Sequence, residues 1–174
     1  DAWRTTCLIE RVANVHAVTE GEAPQWSPDG RSLAFLSNAT GSLQAHVHEI
    51  ATGVTRRLTS LPEGVSSPRW SPDGRYIAVI SADRPSGWAA DNPHIRHVTE
   101  LVYRLDHRGY DVDRFEHLWL VDVGSGSASQ LTLGQQDDGP AAWSPDGRRI
   151  AFERDGHVSV IDVTDMGAPG GREV

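Results

Sequence analysis

The pentapeptide Trp-Ser-Pro-Asp-Gly occurs three times in this chain, at Trp26-Ser27-Pro28-Asp29-Gly30, Trp70-Ser71-Pro72-Asp73-Gly74 and Trp143-Ser144-Pro145-Asp146-Gly147. Self-similarity of this kind marks a repeat architecture, in which each copy is one supersecondary unit that buries its apolar faces only against its neighbours. Each copy extends to W-S-P-D-G-R-x-[LI]-A-[FV]. Arg31, Arg75 and Arg148 follow the glycine, and Leu33-Ala34-Phe35, Ile77-Ala78-Val79 and Ile150-Ala151-Phe152 close the motif. The pattern reads as strand, turn, strand.

The turn has a mechanism. Pro28, Pro72 and Pro145 fix φ at about −65° in the second position of a type I turn. Aspartate tolerates the third position, and Gly30, Gly74 and Gly147 supply the positive φ that follows. These residues predict a three-residue hairpin loop with a glycine bulge. Asp29, Asp73 and Asp146 recur as catalytic carboxylates would. A short acceptor in a turn, however, bonds local amides, and that structural use is the favoured reading.

More strands follow each hairpin, at 45–50, 117–123 and 157–163, then Gly-rich turns and closing segments ending in Leu58-Thr59 and Leu131-Thr132. His16–Gly21 repeats that closing segment. The unit is therefore four antiparallel strands, A to D. The tryptophans of the first two copies, Trp26 and Trp70, are 44 residues apart, the period of a propeller blade. Apolar residues on both faces of strand B, with Ala34, Ala78 and Ala151 where a neighbour approaches, fit blades stacked face to face. The expected fold is all-β, a β-propeller segment of about three blades of a larger ring. Residues 1–20 read as the end of one blade, 23–60 and 67–133 as two whole blades, and 140–174 as an incomplete blade. Such an arc leaves strand edges and apolar faces for other blades of the same protein, or for other copies of the chain.

Bulk composition removes several functions. The 174 residues suffice for one domain with a core. The formal net charge of −8 argues against nucleic acid or an anionic membrane as partner. All 16 basic residues are Arg, so no Lys nucleophile or Schiff base exists in this segment. The one cysteine, Cys7, allows neither an intrachain disulfide nor a cysteine zinc site. No apolar run approaches the ~18 residues of a membrane span, and no signal peptide is visible; the expected location is the cytoplasm. No G-x-S-x-G elbow occurs. The nearest approach, Gly64-Val65-Ser66-Ser67-Pro68, leads into a strand rather than a helix. His94 and His97, with Asp91 and Glu100 nearby, and the pair His46 and His48 have metal-ligand spacing, but solvated or hydrogen-bonded histidines are the favoured reading. Neither a metal nor a cofactor is expected.

The tryptophans of the second and third copies, Trp70 and Trp143, are 73 residues apart rather than 44. The excess lies between strands B and C of the middle blade, at 82–116. A long excursion inside a compact repeat is functional or disordered. Trp88, Ile95, Val98, Leu101, Val102, Tyr103, Tyr110 and Phe115 argue for order. Within it Tyr103, Arg104, Asp106, Arg108 and Tyr110 crowd together with Asp111 and Asp113. Arginine and tyrosine suit recognition of a peptide carboxylate, a carbonyl or a partner surface, and these are the candidate substrate or domain-interface residues.

The units P-x-W-S-P-D-G-R-x-[LI]-A-[FV], closed by Leu-Thr, resemble the TolB-type β-propeller repeat. The stretch His94 to Gly134 resembles the propeller of the acylaminoacyl-peptidase branch of the prolyl oligopeptidase family, whose members carry a similar insertion with a Y-R-x-D-G-x-G-[YF]-like core. Here the core is Tyr103-Arg104-Leu105-Asp106-His107-Arg108-Gly109-Tyr110, departing from the pattern at His107. The resemblance covers essentially the whole chain. It implies a two-domain serine peptidase in which a seven-bladed propeller, of which this chain would be about three blades, sits over an α/β-hydrolase domain and admits only short or unfolded peptides. The reaction it implies releases acylated or free N-terminal residues, or dipeptides. No catalytic residue falls in this segment on that reading. The alternative is a stand-alone TolB-like propeller acting as a protein-interaction scaffold. A sialidase-type glycosidase ranks below both, because in that repeat the tryptophan follows the turn.

Overall fold

The computed structural model describes residues 21–83 and 114–163. They form eleven strands: β1 (Glu22–Trp26), β2 (Ser32–Ser37), β3 (Gln44–Glu49), β4 (Thr55–Arg57), β5 (Ser66–Trp70), β6 (Tyr76–Ala82), β7 (Glu116–Asp122), β8 (Ala128–Gln130), β9 (Ala142–Trp143), β10 (Arg149–Arg154) and β11 (His157–Asp162). No helix occurs among the described residues.

The strands make two four-stranded antiparallel sheets, β1-β2-β3-β4 and β5-β6-β7-β8, and a three-stranded sheet β11-β10-β9. Chain order equals spatial order in each, as expected of blades. Antiparallel succession places the β1–β2 and β3–β4 turns at one end of a sheet. The β2–β3 connection and the link to the next sheet lie at the other end.

The sheets stack through two cores. Ala34, Leu36, Ala45, Val47 and Leu58 of the first sheet meet Ile77, Val79 and Val121 of the second. Ala78, Ile80, Leu118 and Leu120, on the opposite face of the second sheet, meet Ile150 and Phe152 of the third. Alternate residues of β6 therefore enter different cores, which is why the strand is apolar throughout. Ala34 and Ala78 are fully buried where a neighbouring sheet approaches. On the far side of the third sheet, Val158 and Val160 are exposed.

One detail departs from the sequence-based expectation. Trp26 pairs with Leu33, and Ser27 N donates to Ser32 O at 2.8 Å, so the loop has four residues, Pro28 to Arg31, rather than three. Side chains explain the extra residue. The Asp29 carboxylate accepts the Arg31 amide, and the Ser27 hydroxyl accepts the Ser32 amide. The other two hairpins match, with Ser71 N to Tyr76 O and Ser144 N to Arg149 O at 2.9 Å. The register irregularity lies instead in the first strand of each four-stranded sheet, between Glu22 and Gln25 and between Ser66 and Arg69. There Ala23 and Ser67 both take φ of 51°. Pro140 stands at the corresponding place in the third sheet, and its ring forbids positive φ. The corresponding strand, β9, is only two residues long.

Candidate functional site

The three W-S-P-D-G turns are close copies. Ser27, Ser71 and Ser144 each donate their hydroxyl to the aspartate two residues on, at 2.6 Å. The same carboxylates accept the amides of Arg31, Arg75 and Arg148 at 3.0 to 3.1 Å. The serine hydroxyl and the arginine amide hold Asp29 and Asp146 below the usual carboxylate range. For Asp73, burial works the other way, but Ser71 and the Arg75 amide outweigh it and the pKa is again lowered. Each carboxylate is engaged inside its own turn, which leaves the Ser-Asp pairs poorly placed as nucleophile and base.

Successive turns also engage one another. The Trp70 indole donates to Gln25 O at 3.0 Å, and Trp143 donates to Arg69 O at 3.2 Å. A shallow cleft between the first two turns is lined by Pro28, Asp29, Trp70, Pro72, Asp73 and Val123.

The opposite end of the sheets carries a different chemistry. The excursion leaves β6 at Asp83 and returns at Arg114, and its root is closed by Asp83 N donating to Phe115 O at 2.9 Å. Arg114 forms an ion pair with Glu63 of the first inter-sheet link. Immediately below lies a buried polar cluster. Asp138 accepts from Arg154 Nε at 2.6 Å and Nη2 at 3.1 Å, and from the Thr132 hydroxyl. His117 Nδ1 stands 3.4 Å from Asp138 Oδ2. On the other side of the ring, His117 Nε2 stands 3.6 Å from Asp83 Oδ2, which also accepts Gln130 Nε2 at 2.8 Å. Burial alone would raise the Asp138 pKa, but His117, Arg154 and Thr132 together lower it to about 2. The cluster ties the second sheet to the third and both to the root of the excursion.

The junction between the first two sheets lacks this cluster. Gln44 occupies the place of His117, and Val65 and Ser81 those of Asp138 and Arg154. Gln44 Oε1 accepts the Thr59 hydroxyl at 2.7 Å, and Ala45 N donates to Thr59 Oγ1 at 2.9 Å. Leu118 N donates to Thr132 Oγ1 in the same way. The Leu-Thr closing motif thus has a physical role: its threonine fastens strand D to the start of strand C.

Sequence reasoning did not single out Asp83, His117, Asp138 or Arg154. The available signal was the change from Gln44 to His117 at one repeat position, together with the carboxylate ahead of the third motif. Tyr103, Arg104, Asp106, Arg108 and Tyr110 lie outside the described residues, as do Cys7, Asp91, His94, His97 and Glu100. His46 stacks on Phe35 with ring centroids 5.5 Å apart, while His48 is buried with Nδ1 2.7 Å from Thr55 Oγ1. Ser66 and Ser67 lie in β5. No three His, Cys, Asp or Glu side chains converge as a metal cluster among the described residues. The described residues contain no helix long and apolar enough to cross a membrane.

Stacked antiparallel sheets, each opened by the same hairpin, make this chain a segment of a β-propeller. Its likenesses include peptidase and TolB propellers. No protein-family model matches the chain. It is 37% identical over 145 residues to "Uncharacterized peptidase YuxL" of Bacillus subtilis (strain 168), an alignment covering 79% of this chain and 22% of the relative. The chain thus spans about a fifth of that relative's length. The acylaminoacyl peptidase of Pyrococcus horikoshii superposes with a TM-score of 0.58 at 18% identity, covering 76% of this chain and 20% of the other. TolB of Acinetobacter baumannii superposes with a TM-score of 0.56 at 18% identity, covering 88% and 31% respectively. At these identities the two solved structures establish the fold. The resemblance to TolB and acylaminoacyl-peptidase propellers is borne out.

Proposed function

We propose that this chain is a non-catalytic, substrate-gating propeller segment of a serine exopeptidase that releases acylated or free N-terminal residues, or dipeptides, from short peptides. The observation that carries the reading is the identity to a peptidase across most of the chain. The acylaminoacyl-peptidase likeness supports it at the level of fold. In this reading the partners are further blades and an α/β-hydrolase domain of the same protein, and the chemistry is performed there. The propeller selects by size, because a rigid scaffold excludes folded substrates before any side chain reads them. The residues Tyr103, Arg104, Asp106, Arg108 and Tyr110 contribute to substrate or domain contact, and the surroundings are cytoplasmic.

The test uses the full-length protein that carries this segment. It should hydrolyse acyl-amino-acid or aminoacyl anilides, react with a fluorophosphonate probe, and cleave short peptides while sparing folded proteins. Absence of both turnover and probe labelling would favour the scaffold reading, which the TolB likeness supports. Cleavage of folded and short substrates at equal rates would remove the gating role and leave the peptidase.

A further inference from the structure

The third sheet exposes the face that the first two sheets bury. Strand register aligns the three sheets. Ala151 stands where Ala34 and Ala78 do, Glu153 where Leu36 and Ile80 do, and Val158 and Val160 where Leu118 and Leu120 do. Leu36, Ile80, Leu118 and Leu120 are at most 3% exposed, each packed in a core shared with the next sheet. Val158 and Val160 are 80% and 49% exposed, and Glu153 is exposed as well.

Both observed boundaries use the same receiving groups. The tryptophan of one hairpin donates to the carbonyl before the preceding tryptophan, Gln25 O or Arg69 O. The hairpin glycine rests on the preceding proline. An added Cβ on Gly74 would lie 3.8 Å from Pro28 Cδ, and one on Gly147 3.6 Å from Pro72 Cδ. On the third sheet these receiving residues are Ala142 and Pro145, both exposed. With Trp143, Ala151 and Val160 they line an open, mainly apolar cleft of about 540 Å³.

Glu153 is the departure from the pattern. A sheet docked like the others would cover its side chain where Leu36 and Ile80 are covered. Among the described residues no hydrogen bond or ion pair engages this carboxylate. Arg154 is held by Asp138 instead. A carboxylate taken out of water needs a cation or several donors. A second copy of this chain is a poor occupant. To repeat the boundary it would have to offer the face of its first sheet that carries Phe35 and His48, and both are already buried. The relative of which this chain spans about a fifth has ample length for another sheet.

We propose that a further sheet of the same protein docks on the outward face of β9, β10 and β11, seats an aromatic N–H on Ala142 O, and brings an arginine or lysine against Glu153. The inference deepens the proposed function, resting on its further blades and not on its hydrolase domain.

The full-length protein tests it in two ways. Val160→Cys is treated with a maleimide, and labelling at that position is read by mass spectrometry against Val54→Cys, at a position 57% exposed. Labelling of Val160→Cys should be slower by on the order of 100-fold, whatever the protein concentration. Equal rates would overturn the proposal. Protection lost on dilution would also overturn it, assigning the face to a second copy. Glu153→Leu restores the apolar residue type of the other two boundaries. With a cation opposite, it should lower the thermal midpoint of the propeller by about 5–10 °C. A midpoint unchanged or raised would overturn the cation. If the Glu153→Leu protein does not fold, Glu153→Gln carries the test, with a lowered midpoint expected and an unchanged one overturning it. Turnover is not read, so a full-length protein without peptidase activity decides the question equally well.

Discussion

Trp143 Nε1 donates to the backbone oxygen of Arg69 across a boundary between sheets. Trp70 makes the same bond to Gln25, one repeat earlier. In both cases the acceptor is the residue before the preceding repeat's own tryptophan, so each tryptophan fixes its sheet to the one before it. Trp143 also packs on the second core. Trp143→Phe should remove the bond and keep most of the packing, at a cost of about 1–2 kcal/mol. Trp143→Ala should cost about 3–5 kcal/mol. Denaturant unfolding of the full-length protein, followed through the propeller transition, measures both. Equal losses would mean that the indole N–H contributes nothing.

Two glycines with similar dihedrals should respond differently to a methyl group. Gly30 has φ of +68° with nothing within 4 Å of an added Cβ. Gly64 has φ of +78°, and its Cβ would lie 2.9 Å from Leu43 O. That oxygen already accepts Val65 N, and Gly64 O accepts the Ser81 hydroxyl at 2.6 Å. Gly30→Ala should cost only the left-handed conformation, about 1 kcal/mol. Gly64→Ala must also shift backbone and should cost about 3 kcal/mol. Thermal midpoints of the two variants, compared at one pH, decide it; a Gly64→Ala protein as stable as Gly30→Ala would contradict the contact geometry.

The fold was legible because its information is local. Proline, aspartate and glycine in fixed order specify the turn, and Ala34 and Ala78 betray the close approach of a neighbouring sheet. The loop length was misjudged by one residue because the Ser27 hydroxyl and the Asp29 carboxylate, rather than the backbone, accept the amides of Ser32 and Arg31. Sequence spacing does not reveal which group accepts a bond. The Asp138 cluster was hidden for a different reason. Asp83, His117, Asp138 and Arg154 span 72 residues of sequence, and only the stacking of two sheets brings them together. Gly64 was considered only as part of a failed nucleophile elbow, since its tight contact with Leu43 is likewise long-range.

The cluster should be sensitive to removal of its centre. Asp138→Ala removes the buried carboxylate that Arg154 Nε and Nη2 donate to, and breaking a buried pair in this way typically costs about 3–5 kcal/mol. Asp138→Leu paired with Arg154→Met replaces both charges with apolar groups and should recover much of that loss. Unfolding free energies of the single and double variants test this. A double variant no more stable than Asp138→Ala would show that the cluster is held by more than its ion pair.

The turns predict a pH dependence whose sign follows from their bonds. Asp29, Asp73 and Asp146 all have pKa values lowered in the folded chain. A lowered folded pKa stabilises the fold above the unfolded value, near 3.8, and that contribution is lost as pH falls through the folded value. Acid should therefore weaken the hairpins progressively below about pH 4. Ser71→Ala removes the hydroxyl that donates to Asp73 at 2.6 Å, so the folded pKa of Asp73 moves back toward its unfolded value. The variant should be less stable than the parent by about 1 kcal/mol at neutral pH. The difference should narrow as pH falls from 5 toward 2 (roughly the carboxylate range), because the parent then loses what the variant already lacks. Unfolding curves at several pH values, parent against Ser71→Ala, give the comparison. Parallel curves would show that the serine acts through its bond to the Tyr76 amide rather than through the carboxylate.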